Sequence, residues 1–173
     1  MESETRIQVA TSQEHGTVVV RPSGRCTVGM CETLQHYMKQ IRKPGLTDLY
    51  VDLSGAEFID STFTGFLLSM AKRKPDAAAP AFHLLRPSEA ATGVLRELGV
   101  VQIFDICQSM PYPPTDWKEL PIVSAGCERV ADHVIDAHEE LIDSDSTKSG
   151  QFVRVVELFK ADRDRKRGSD STQ

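Results

Sequence analysis

Three consecutive small polar residues, Asp60, Ser61 and Thr62, stand just before the apolar run Phe66, Leu67, Leu68, Met70 and Ala71. Such side chains cap helices by accepting a free backbone N–H, so the triplet predicts a helix opening near Thr62. A hydroxyl in a first helical turn lies beside unpaired N–H groups and the positive end of the helix dipole. Phosphorylation there adds roughly −1.5 to −2 charges at pH 7. The helix accommodates the phosphate, because helix N-termini bind anions, while a partner docked over the same surface is repelled. Ser61 is therefore a candidate phosphorylation site with the chemistry of a reversible switch, and Asp60 adds to the local negative charge. Taken alone, the triplet is more often an ordinary cap worth ~0.5–2 kcal/mol. Its setting decides between the two readings.

The other reactive side chains form no comparable group. His15, His36, His83, His133 and His138 show neither an H-x-x-x-H nor an H-E-x-x-H spacing, so no metal site is expected. Cys26, Cys31, Cys107 and Cys127 include no C-x-x-C pair and read as small hydrophobes of a reducing compartment. The sequence holds no G-x-x-x-x-G-K-[ST], G-x-G-x-x-G or G-x-S-x-G, and the expectation is a non-enzyme with no cofactor. A net charge of −5 argues against direct nucleic-acid binding, which needs clustered Lys and Arg. No stretch approaches the ~20 apolar residues of a membrane span. Met1-Glu2-Ser3-Glu4 lacks the basic-then-apolar order of a signal peptide, so a cytoplasmic protein is expected.

The elements around the triplet follow from hydrophobic period. Ile7 to Ala10 and the β-branched run Thr17 to Pro22 read as two arms of a hairpin turning at Gln13 to Gly16. Val28, Met30, Cys31, Leu34, Tyr37, Met38 and Ile41 include pairs three and four residues apart, an amphipathic helix stopped by Pro44-Gly45. Residues 46–53 alternate as a strand. The helix after Asp60 ends near Lys72-Arg73-Lys74-Pro75, and an Ala/Pro loop fills 76–80. Phe82 to Leu85 is a further strand, a helix opens at Ser88 and stops at Gly99, and residues 100–106 supply a short last strand. Strand and helix alternate from residue 46 onward, which predicts a mostly parallel sheet.

In this setting the run Val51-Asp52-Leu53-Ser54-Gly55-Ala56-Glu57-Phe58-Ile59-Asp60-Ser61-Thr62 resembles the signature of STAS-domain anti-sigma factor antagonists. There a strand ending in Asp-Leu-Ser leads to an Asp-Ser-Ser or Asp-Ser-Thr turn and a glycine-containing helix start. Val18 to Gly24, Leu84 to Ser88 and Val94 to Phe104 are similar to the family's flanking elements, so the resemblance covers about residues 5–108. It implies an α/β STAS fold with a four- to five-stranded mixed, mostly parallel sheet. It also implies a bacterial regulator of transcription acting by partner switching. Such a protein binds an anti-sigma factor serine kinase when unphosphorylated, leaves it when Ser61 is phosphorylated, and is reset by a serine phosphatase. Asp60, Thr62, Phe63, Thr64 and Gly65 would then form the partner-binding surface. Two positions differ from the family pattern. Phe63 replaces a common glycine, narrowing a kinase's access or giving a matching partner a contact, and Gly24-Arg25-Cys26-Thr27 lacks an acidic residue usual in the first loop. An alternative reading is a constitutive STAS-like subunit of a larger complex, such as a lipid-transport ATPase assembly. A third is a small α/β enzyme.

Beyond residue 108 the resemblance ends. Residues 109–123, with Met110-Pro111-Tyr112-Pro113-Pro114, read as a Pro-rich linker or surface arm. Residues 124–161 read as a two-helix hairpin and 162–173 as a charged flexible tail. Residues 116–145 carry nine acids and two bases, a net of −7, whereas 146–173 carry seven bases and four acids, a net of +3. Helices so short are marginal in water, so Val130, Val134, Leu141, Phe152, Val156 and Phe159 must be buried. Docking on the same chain is expected, in a monomer or dimer.

Overall fold

The computed structural model describes residues 4–41, 44–74 and 79–170. Pro75, most of the expected Ala/Pro loop and the last three tail residues lie outside the described residues. Two strands open the chain, β1 (Arg6–Ser12) and β2 (Thr17–Cys26), paired antiparallel across the Gln13 to Gly16 turn. Next come helix α1 (Val28–Gln40), β3 (Asp48–Asp52), β4 (Ala56–Ile59), α2 (Ser61–Ala71), β5 (Ala81–Leu85) and α3 (Glu89–Glu97). A 3₁₀ turn (Val101–Ile103) and two short strands follow, β6 (Ile106–Cys107) and β7 (Lys118–Leu120), and then α4 (Cys127–Asp143) and α5 (Ser149–Asp170).

One sheet runs β6-β5-β3-β2-β1-β7, and β4 pairs with β2 off that path. The β2–β3, β2–β4, β3–β5 and β5–β6 ladders are parallel, and those of β1 with β2 and β7 are antiparallel. The fold is thus α/β with a mostly parallel sheet, as the alternation of elements predicts. Among the described residues it has seven strands where four or five were expected. The added ones are short: β4 buries only its two ends, and β6 has two residues, held by the backbone of Leu84 and Leu85. Residues 100–106 form the 3₁₀ turn and a single residue of β6 in place of a continuous strand. Within the Pro-rich segment, β7 extends the sheet beside β1, and the Trp117 ring lies 3.9 Å beneath the Arg21 guanidinium. That segment is an arm laid on the sheet edge.

Strand β2 explains the layering. Val18 and Val20 join the main core with Leu49, Val51, Leu84 and Leu67, while Val19 points to the opposite face with Tyr50 and Leu85. A β-branched run buried on both faces is what a central strand requires. The C-terminal helices add to the main core through Leu141 and Phe152. Val134 and Val156 are buried as well, whereas Phe159 is 37% exposed. Helix α5 also continues to Asp170, through residues expected to be tail. Its charges are locally matched: Lys166 pairs with Asp162 one turn away, Arg163 with Asp132 and Arg167 with Glu128. No helix among the described residues is long and apolar enough to cross a membrane.

Candidate functional site

Strand β4 delivers the chain to Asp60, whose backbone is extended (φ −97°, ψ 173°) and ends the strand by starting a helix. The carboxylate caps two helices at once. Its Oδ1 accepts the N–H of Phe63 in α2 at 2.6 Å, and its Oδ2 accepts the N–H of Val28, the first residue of α1, at 3.2 Å. Thr27, the residue at the cap position of α1, supplies no side-chain bond, so Asp60 does that work for both helices. Burial raises the Asp60 pKa above the usual carboxylate value, against the opposing pull of these N–H groups.

Ser61 is the first residue of α2 and is half-buried. Its hydroxyl lies 3.0 Å from Nε2 of His138 in α4. The other ring nitrogen of His138, Nδ1, is 2.6 Å from the carbonyl oxygen of Val134. A carbonyl only accepts, so Nδ1 carries a proton, which leaves Nε2 of that tautomer to accept from Ser61 Oγ–H. His138 is buried at 4% exposure, with its ring edge against Phe152 at 4.8 Å.

The remaining expected partner contacts lie deeper. Thr62 is 6% exposed and Phe63 and Thr64 are fully buried. Helical spacing puts Phe63 and Leu67 together in the main core, so here Phe63 meets the protein's own interior. Thr64 bonds back to the Asp60 carbonyl at 2.8 Å. Gly65 lies under α4, where a Cβ would fall 2.1 Å from the backbone oxygen of Ala137. Only glycine permits so close a crossing. The sequence places Ser61 at a helix start, on a surface over which a partner docks. In the structure α4 packs across α2 there.

Polar contacts flank α4 at both ends. Glu32 of α1 receives Nε2 of His133 at 2.7 Å and two nitrogens of Arg129 at 3.1–3.2 Å. Lys72 at the end of α2 reaches Glu140 and, at 3.3 Å, Ser144. His133 and His138 escaped notice as site residues because an acidic helix usually solvates its histidines. The available signal was the i, i+4 relation of His138 to Val134 within the apolar stripe. A Ser–His pair also occurs in acyl-transfer enzymes, but with α4 in place the imidazole is enclosed by α2 and α5 and presents no face to a substrate.

No family model and no curated protein matches this chain. Among solved structures, it is similar to that of the anti-sigma factor antagonist SpoIIAA in its unphosphorylated form. The two are 22% identical with a TM-score of 0.48, over 59% of this chain and 88% of that one.

Proposed function

We propose that this chain is a non-catalytic binding module, an anti-sigma factor antagonist that works by partner switching. With Ser61 unmodified it holds an anti-sigma factor serine kinase. Phosphorylation of Ser61 ends that association, and a serine phosphatase restores it. The observation that carries this reading is Ser61 as the first residue of α2, beside a carboxylate that caps two helix starts. A phosphate there meets the helix N-terminus without disturbing the sheet, and it alters the charge of the one surface that both α1 and α2 open onto. The Asp-Leu-Ser…Asp-Ser-Thr motif of residues 52–62 supports the same role.

A second reading, a constitutive subunit of a larger complex, is favoured by one fact: the Ser61 hydroxyl is already engaged by His138. Capture from the native cell with wild type, Ser61→Ala and Ser61→Asp side by side separates the two. Wild type and Ser61→Ala are expected to retain a serine kinase, and wild type recovered after kinase action carries phosphate on Ser61. Ser61→Asp is expected to bind at least ~2 kcal/mol more weakly, the cost of an unpaired charge against a desolvated surface. Equal retention by all three leaves the constitutive subunit.

A further inference from the structure

We propose that α4 is an internal occupant of the partner surface: a partner docks by an amphipathic helix that replaces α4, and Ser61 is phosphorylated only when α4 has lifted. This rests on Ser61 being the switch residue.

Three observations make α4 and a modified or partner-engaged Ser61 mutually exclusive. The Ser61 hydroxyl is spent on His138, and a kinase needs that oxygen free. It must attack the γ-phosphorus of ATP, form the O–P bond, expel ADP and give its proton to the kinase's base. One turn further on, Gly65 lies so close to the Ala137 backbone that a Cβ would fall 2.1 Å from its oxygen, so no partner element can share that surface with α4. Finally, α4 carries six acids and one base, a net of −5, offset in part by the cations paired with Glu128, Asp132, Glu139 and Glu140. A phosphate of roughly −1.5 to −2 charges beneath it is repelled.

The attachment suits a removable element. Its apolar seam is a single stripe centred on Val134, Ala137 and Leu141. Its outer ties, Arg129–Glu32 and Lys72–Glu140, are partly exposed ion pairs, which contribute little. The connection to the body at 121–126 has no regular structure. Helix α5 grips α4 through Glu139–Lys160, Asp132–Arg163 and Glu128–Arg167, while the turn between them stays tied to the end of α3 by Ser146 Oγ–H and Thr147 N–H on the Leu98 carbonyl at 2.7 and 3.1 Å. The same contacts describe the partner's helix. It presents a small residue over Gly65, a hydrogen-bond acceptor to Ser61 and a cation to Glu32.

Hydrogen exchange on the full-length protein tests this, with phosphoserine installed at position 61 and with Ser61→Ala. The phosphoserine form is expected to exchange at least tenfold faster throughout 127–143 than Ser61→Ala, with β2, β3 and β5 unchanged. Equal protection of α4 in both forms would overturn the proposal. Leu141→Ser, which leaves Ser61 alone, loosens α4 from its other end. Residues 61–65 must then exchange faster together with α4, and their continued protection would equally overturn it. Neither measurement involves the kinase. An α4 released by phosphoserine in a protein no kinase modifies would remove the switching function and leave only the displaceable cover over Ser61 standing. A Ser61 phosphorylated beneath a fully protected α4 would do the reverse.

Discussion

Leu67 of α2 and Leu141 of α4 are both fully buried, but their surroundings differ. Leu67 lies in the same core cluster as Leu141, on a helix that packs both on the body, whose central strand is apolar on both faces, and on α4. Leu141 belongs to a helix with one buried stripe. The hairpin it forms with α5 leaves Val153, Leu158 and Phe159 exposed at 41, 69 and 37%. Charge is handled differently too. The body buries Asp52 completely and holds it with Arg21 Nε at 2.9 Å, Arg86 Nη2 at 2.6 Å and the Ser54 N–H at 3.1 Å. The hairpin arrays its ion pairs along a solvated rim. The removal of α4 proposed above draws on this difference, one buried stripe and a polar rim against a layer filled on both faces. Helix α2 belongs to both, with Phe63 and Leu67 in the sheet's core and Ser61 and Gly65 against α4.

The sharpest test of this contrast compares two phenylalanines. Phe63→Ala is expected to cost ~3–5 kcal/mol by denaturant unfolding, the usual loss for a buried aromatic. Phe159→Ala should stay within about 0.5 kcal/mol of wild type, as surface changes do. A comparable loss at both sites would mean the hairpin is built like the body.

Asp52 sharpens the electrostatic side. Burial alone would raise its pKa, but hydrogen bonds from Ser54, Arg21 and Arg86 outweigh burial and hold it below the ordinary carboxylate value. A depressed folded pKa means the stability it contributes is fully present above the unfolded value of ~3.9. That stability is lost as pH falls through the lower folded value. Asp52→Asn should therefore be less stable at pH 7 by ~1–3 kcal/mol. Its acid-unfolding curve should also be flatter than wild type below pH ~4. Parallel curves would remove Asp52 from the acid response.

Gly65→Ala gives a result whose sign decides. In a helix with an open face, alanine for glycine stabilises by ~0.5–1 kcal/mol. Under α4 the new methyl meets the Ala137 carbonyl, and overpacking of this kind costs ~1–3 kcal/mol. A lower melting temperature with faster exchange in 127–143 supports the docked hairpin. A higher one means that α2 is uncovered in solution.

The smallest effects belong to the rim. Lys160→Ala and Arg167→Ala should each change stability by ~0–1 kcal/mol. The difference should vanish in 1 M salt, where the screening length is about 3 Å. A loss that survives high salt would place these pairs among the structural contacts of the hairpin.

Much of this architecture was legible in the chain itself. The Thr17-Val18-Val19-Val20 run, the three-and-four spacing from Val28 to Ile41 and the cap residues Asp60 and Ser88 set strands and helix starts to within a residue or so, because these signals act over a few neighbours. Strands β4, β6 and β7 were not legible. They are two to four residues long, and their pairing is decided by backbone already folded beside them. Gly65 read as part of a family motif, but its necessity comes from Ala137, seventy-two positions later. The same holds for Asp60 serving α1 across thirty-two residues and for His138 closing over Ser61 across seventy-seven. Local pattern determines which segments become helix or strand, since caps and hydrophobic period are properties of adjacent residues. Which helix lies across Ser61, and so whether its hydroxyl is free, is decided only when distant surfaces pack.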